Sequence, residues 1–474
     1  MNRLLSFTFF SGLFLLALFV SMWSGIYYWI AIPFAVLFFY SGWQHIYTVF
    51  FLLLCSIPFS AEFQVTSTLG TDFPDEPLML FTAGLVFCYW LYSPGILPRK
   101  IIGHPLIYLL AITFAWSVVS TLPSTDHLIS VKFLLAKCWY IGAFVFAPLI
   151  VFKEKKVMKN AFLAPALGML VITIVTICRH YSYGFSFVNI NDALYPFFRN
   201  HVSYSAMLVC MIPVFFAIRR LSSSKSQKKW INLAILVLLL ALFLSYSRGA
   251  WLALVVGGLS WWLIRKKLLI AGYIAVILIM LASLFWLKTN DRYLEYAPDY
   301  RSTIFHIDFR EHLAATYQLK DLSTEERFYR WIAGIRMIKD NPFTGYGPNT
   351  FYYNYKPYAV PAFRTYVSNN KEHTTVHNYF LLLTIEQGIP GLIFFLLLTG
   401  VMLYYAQHLY YRTKDEFYKT VAITTGVIIM MILTVNFLSD LVETDKIGSL
   451  FFLSLSALII TDINTKPVIL TKEI

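Results

Sequence analysis

Histidine is the side chain best suited to take up a proton near neutral pH, and His377 stands where that use is favoured. It opens the stretch HNYFLLLTIEQGIPG, His377 to Gly391, at which a long polar segment meets a long apolar one. Thr374 and Thr375 precede it and can cap the free N–H groups of a helix that starts there. The partial positive charge at a helix N-terminus disfavours imidazolium, so the ring is expected to be neutral and able to act as a general base. A histidine at a helix end also serves plain packing, and the residues around it must decide between the two. Glu386 is not a partner for it. Nine residues of straight helix put the two side chains on opposite sides, about 13.5 Å apart along the axis. Pro390 cannot donate to the Glu386 carbonyl, so a kink is expected, with Gly388 and Gly391 as small surfaces beside it and Glu386 supporting the packing.

Cations are the next requirement if the reaction expels a phosphate-bearing group. Arg248 lies in Ser245-Tyr-Ser-Arg-Gly249, a turn between two apolar runs. Its planar fork of donors matches phosphate oxygens, and snorkelling to lipid phosphate is the plainer alternative. Arg327, Arg330 and Arg336 share a capped helix, with Arg327 four residues before Trp331 and so on the same face. Arg330 and Arg336 are read as solvated. Asn200-His201 opens another apolar run; an interfacial structural pair is its default reading, with substrate contact as the functional one.

These residues are carried by a membrane-embedded chain. Of its 474 residues 58% are hydrophobic and 13% charged, and the mean hydropathy is +0.64. Soluble domains carry about 25% charged residues, so the composition predicts an all-α polytopic membrane protein of about 12–14 transmembrane helices. Spans are expected at 4–20, 25–41, 45–58, 78–93, 105–122, 132–152, 160–178, 202–218, 231–246, 250–264, 268–287, 378–404, 420–438 and 447–461. The first run lacks a small-residue cleavage site and reads as a retained helix. The net charge of +13 does not indicate nucleic acid. Basic residues sit in alternate short loops (Arg99–Lys100, Lys153 to Lys159, Arg219 to Lys229, Arg265 to Lys267, Arg412 to Lys419), the positive-inside pattern. The loop Ala61 to Glu76 has four carboxylates and no Lys or Arg, as expected of the outward side. All five cysteines fall in or at the ends of apolar runs, which argues against disulfides and a cysteine metal site.

One outward loop is far longer than a connection requires. Lys288 to Val376 is expected to fold as a helical cap, dividing the chain into 1–287, 288–376 and 377–474. Ser323-Thr-Glu-Glu326 reads as a capping box, followed by Phe328, Trp331, Ile332, Ile335 and Ile338 at helical spacing. Asn341-Pro342 ends that helix, and Gly345-Tyr-Gly347-Pro348 makes a tight turn. The apolar stripe could pack on the membrane domain or lie at the interface. The sequence has no Walker A loop, dinucleotide fingerprint or HExxH.

Taken together, these motifs resemble the O-antigen ligase and polymerase superfamily of bacterial envelope glycosyltransferases. The signature His-(Asn/Ser/Gln)-x9-Gly-x-x-Gly is matched by His377-Asn378 and Gly388-Ile-Pro-Gly391. The Ser-Arg-Gly turn is matched by Ser247-Arg248-Gly249. Arginine four before tryptophan, then Asn-Pro-x-x-Gly-x-Gly, is matched by Arg327, Trp331, Asn341-Pro342 and Gly345-Tyr-Gly347. The match covers about residues 200–400.

The resemblance implies a GT-C-like membrane fold with a periplasmic cap, in the bacterial inner membrane with its site facing the periplasm. It implies a glycan donor on undecaprenyl pyrophosphate and an acceptor that is lipid A–core (ligase) or a growing glycan (polymerase). His377 would deprotonate the acceptor hydroxyl. Arg248 and Arg327 would hold the pyrophosphate, with Asn378, Asn200 and His201 as further substrate contacts. Transfer would be inverting and would use no metal or cofactor. A protein O-oligosaccharyltransferase shares these motifs. A flippase or other transporter explains the spans but not the 89-residue cap, and mid-span charges are sparse. A GT-C enzyme using Glu62, Asp72, Asp75 or Glu76 ranks lower, since they flank no complementary base.

Overall fold

A computed structural model of the protein describes residues 3–24, 29, 31–64, 70–289, 292, 322–360, 368 and 374–465. Among these, fourteen helices coincide with the fourteen expected apolar segments. They are α1 (Arg3–Ser24), α2 (Ala31–Gln44), α3 (Ile46–Ser56), α4 (Asp75–Tyr92), α5 (Pro105–Thr121), α6 (His127–Val151), α7 (Lys155–Ser182), α8 (His201–Leu221), α9 (Lys225–Leu244), α10 (Arg248–Arg265) and α11 (Leu269–Lys288), then, beyond the cap helix α12 (Leu322–Asp340), α13 (Tyr379–Arg412), α14 (Glu416–Phe437) and α15 (Asp445–Thr465). The protein is an all-α, multi-pass membrane protein.

Eight of the described helices are long and apolar enough to cross a membrane: α6 to α9, α11 and α13 to α15. Helices α2 and α3 meet at 100° and make a ninth crossing only if they form one broken span. The two separate crossings expected there are therefore not seen. With 14 and 11 residues, neither helix reaches the roughly 20 needed to span the hydrocarbon alone. The acidic loop also departs from an all-helical reading. Ala61–Gln64 (β1) and Gly70–Phe73 (β2) form an antiparallel hairpin with Glu62 opposite Asp72.

Helices α14 and α15 are largely buried, with α8, α10 and α13 packed around α14 and α5 against α13. Three basic loops meet at one end of the bundle. There Lys155 pairs with Asp415, Arg220 with Glu416 (2.7 Å), and Arg412 with the buried Asp462 (2.8 Å). The cap helix packs at the other end, on α13.

The buried face of α12 is not the stripe read from the sequence. Tyr329, Ile332, Ala333 and Met337 are buried against Leu382 and Ile385 of α13, whereas Ile335 is 40% exposed. The true face is rotated by about one residue, because Gly334 lets α12 approach Ile385 and Leu381 closely. The Ser323 side chain of the expected capping box lies outside the described residues. Glu326 instead pairs with Arg330 at 3.0 Å and accepts from Ser368.

Candidate active site

The kink in α13 locks the cap in place. Since Pro390 has no N–H, the Glu386 carbonyl lacks its helical donor, and the Gly347 N–H takes that place at 2.9 Å. Tyr346 N donates to Ile385 O at 3.0 Å, and Ile389 N donates outward to Pro342 O at 2.8 Å. Gly388 has φ 71° and ψ 179°, a backbone conformation that is essentially glycine-only. The Glu386 carboxylate accepts from Asn349 N (2.8 Å) and Phe351 N (3.1 Å), holding the far side of the same loop. Thr125 N of the α5–α6 turn donates to Tyr346 O (3.0 Å), and Ser130 Oγ in the first turn of α6 donates to Pro348 O (2.8 Å). The Asn-Pro-x-x-Gly-x-Gly and Gly-x-x-Gly motifs are thus the two halves of one docking joint, and Glu386 has the supporting role expected of it.

At its other end α13 presents His377. The cap of the helix is Asn378, not Thr374 or Thr375: its Oδ1 accepts from Leu381 N at 3.0 Å. Thr375 works one step earlier, with its Oγ1 accepting from His377 N at 3.3 Å. His377 itself has φ 53°, a left-handed conformation that costs a non-glycine residue of order 1 kcal/mol or more. Helix α12 holds it there. Arg330 donates to Thr375 O (3.2 Å) and Trp331 Nε1 to Val376 O (3.0 Å), so both carbonyls before the histidine are engaged. Removal of water by packing lowers the imidazole pKa from 6.5 to about 3, and the positive charges of Arg330 and then Arg327 add to this. The neutral ring expected at a helix N-terminus is found, with desolvation and the two arginines as the main causes.

Arg330 therefore does not belong to a solvated face. It is 5% exposed, forms a buried ion pair with Glu326, and touches the segment that carries His377. Arg336 is exposed as expected, and Arg327 is partly buried.

The sequence reading missed a turn, Phe437 to Glu443, that gathers the remaining parts. Trp331 of α12 packs on Phe437 with ring centroids 6.0 Å apart. Tyr379 N donates to Ser439 O at 2.9 Å, and the Thr375 hydroxyl bonds to Asp440. Burial raises the Asp440 pKa, the Thr375 hydrogen bond opposes the rise, and Glu443 adds to it. A Cβ on Gly249, next to Arg248, would lie 3.4 Å from Leu438 of this turn. Arg248 is the first residue of α10 and half-buried. The turn 437–443 thereby brings the Ser-Arg-Gly motif up to the His377 segment. No sequence motif marked it; a single Asp and a single Glu near an apolar run carry no spacing signal.

Asn200 is a helix cap, its Oδ1 accepting from Ser203 N at 2.9 Å. His201 N donates to Asn191 Oδ1 at 2.9 Å, and Phe187 sits edge-on to both His201 and Tyr246, two residues before Arg248. The carboxylates of the hairpin loop are engaged in holding it. Glu76 accepts from Thr71 Oγ1 (2.5 Å) and Asp72 N (3.2 Å), and Asp75 accepts from Ser60 Oγ. A cation lies near them: Lys446, which donates to Ser60 O (2.8 Å) and Phe197 O (2.6 Å), interacts electrostatically with Asp75 and Asp72.

Fold and site together define a multi-pass membrane protein whose docked helical cap and kinked helix enclose a neutral histidine among arginines. Residues 233–396, from α9 into α13, match the family model described as O-antigen ligase, and this region contains Arg248, Arg327 and His377. The chain is also 27% identical over 224 residues to an O-antigen ligase of Salmonella typhimurium (strain LT2), a match covering 45% of this chain and 49% of that protein. The chain spans about half the length of that relative. Both similarities are to O-antigen ligases, and the family-model match falls on the region that carries the motifs.

Proposed function

We propose that the protein transfers a glycan from a polyprenyl (undecaprenyl) pyrophosphate carrier to an acceptor sugar hydroxyl, at the cap side of a bacterial inner membrane. The observation that carries this reading is the histidine held neutral and strained between Arg330 and the turn containing Asp440. In the reaction a ring nitrogen of His377 accepts the acceptor O–H proton as that oxygen bonds to the anomeric carbon. The bond from that carbon to the pyrophosphate oxygen breaks, and the electron pair leaves with the pyrophosphate. Attack from the face opposite the leaving group inverts the anomeric centre. Arg248 and Arg327 receive the developing phosphate charge, so that no metal is required for it. Asn378, Asn200 and His201 line the approach to substrate. Anionic pyrophosphate beside the arginines offsets their charge, so the base strengthens only when the donor is bound.

The name of the Salmonella relative favours a ligase over a polymerase, and with it the lipid A–core acceptor that the motif resemblance implies for a ligase. The lipopolysaccharide profile of a deletion strain tests this. Polymer retained on carrier lipid but lost from lipid A–core supports a ligase, and a single repeat on the core indicates a polymerase. Loss of polymer from carrier lipid and lipid A–core alike, with donor trapped on the opposite face of the membrane, would instead indicate a transporter.

A further inference from the structure

Lys137 lies ten residues into α6, about 15 Å along the axis from its start at the cap side. A lysine on an apolar, membrane-spanning helix is retained where it has a partner and a task. Its ammonium meets Glu443 at 2.6 Å, and both side chains are mostly covered, 17% and 22% exposed. Phe133 and Phe452 flank it, with ring centroids at 5.3 and 5.7 Å. The other oxygen of Glu443 accepts from Tyr379 Oη at 2.7 Å. Tyr379 is thus tied at both ends to one turn, its hydroxyl to Glu443 and its N–H to Ser439 O. It follows Asn378 directly and lies two residues from His377.

We propose that Lys137 is a positioning residue of this site: by pairing with Glu443 it fixes Tyr379, and through Tyr379 the left-handed backbone that presents His377. The turn needs such a cation. Asp440 and Glu443 stand close enough to repel one another, and Glu386 of α13 feels both. On the other side His377 faces Arg330 and Arg327 of α12. Without Lys137 the covered Glu443 charge would lose the cation it pairs with among the described residues, and the turn would open toward water, releasing Tyr379. The inference rests on His377 being the general base.

The test uses the purified full-length protein in liposomes with a polyprenyl-pyrophosphate-linked glycan and a sugar acceptor. Lys137→Met is expected to lower kcat on the order of 10–100-fold, the loss typical of a reacting group displaced by about 1 Å, with donor KM changed far less. The acid limb of its pH–rate profile moves up toward the ordinary imidazole value, because a released His377 regains water. Lys137→Arg restores most of the rate. Tyr379→Phe removes only the hydroxyl, keeps the buried ring, and is expected to shift both readouts in the same direction by less. A folded Lys137→Met or Tyr379→Phe protein with wild-type kcat overturns the proposal, and so does a reduced kcat with an unmoved acid limb. If His377→Gln is fully active, the general-base reading fails instead, whatever Lys137 does. If His377→Gln is inactive and Lys137→Met is normal, only the positioning role fails.

Discussion

Replacing Gly388 by alanine probes whether the docking joint between cap and α13 is as rigid as its hydrogen bonds imply. A Cβ at this position would lie 2.0 Å from the carbonyl oxygen and 2.3 Å from the carbonyl carbon of Phe343. Both are backbone atoms, so no side chain can swing aside. The φ of 71° with ψ 179° would add strain of about 1–3 kcal/mol for alanine. Relief requires the Pro342–Phe343 segment to retreat by more than 1 Å, which breaks the Ile389 N–H bond to Pro342 O (2.8 Å) and removes roughly 1 kcal/mol more. The sum is about 2–4 kcal/mol against docking. Thermal unfolding in detergent and protease sensitivity of the cap measure it, with turnover as the functional readout. Gly258→Ala is the control, since nothing lies within 4 Å of its would-be Cβ and alanine is the better helix former. A Gly388→Ala protein as stable and protease-resistant as the Gly258→Ala control would refute the rigid joint.

Arg330→Lys should lose activity nearly as severely as Arg248→Lys, because lysine cannot hold Glu326 and the Thr375 carbonyl in one planar fork, whereas Arg336→Lys should be silent; turnover at equal membrane levels checks all three. His377 has a folded pKa of about 3 against 6.5 when unfolded, so the unfolded chain binds more protons in between and stability falls as pH drops through that window. By pH 5 the loss is about 2 kcal/mol, and thermal unfolding of His377→Gln at pH 7.5 and 5 should lack it. A cysteine replacing Arg336 should react with an impermeant thiol reagent from outside the membrane and one replacing Ser223 should not; reversed labelling would overturn the orientation of the whole site.

Much of the joint was legible because backbone rules are local. Pro390 announces a carbonyl in need of a donor, and Gly345 and Gly347 announce a tight turn; Gly388 read only as a small surface beside the kink, and its positive φ needed the fold. Pairing the two motifs was not legible, since nothing in either names Gly347 as the donor to Glu386. Arg330 was misread for a different reason. A stripe drawn through the largest apolar residues of α12 places it on the solvated side, and rotating the helix by about one residue buries it. Asp440, Glu443 and Lys137 were invisible because their contacts span long sequence separations: Lys137 and Glu443 touch across 306 positions, and only the fold closes that gap. The helices themselves were read from apolar run length, which reports a helix but not the 100° bend between α2 and α3.

The central claim is that His377 takes the acceptor proton. Single-turnover kinetics with donor pre-bound to purified wild-type, His377→Ala and His377→Gln proteins address it most directly. Loss of roughly 10²–10⁴-fold in the transfer step for both variants, with donor affinity largely kept, is the result a general base predicts. Transfer by a correctly folded His377→Gln protein at close to the wild-type rate would contradict it, since glutamine can fill the space and keep a hydrogen bond but cannot carry the proton.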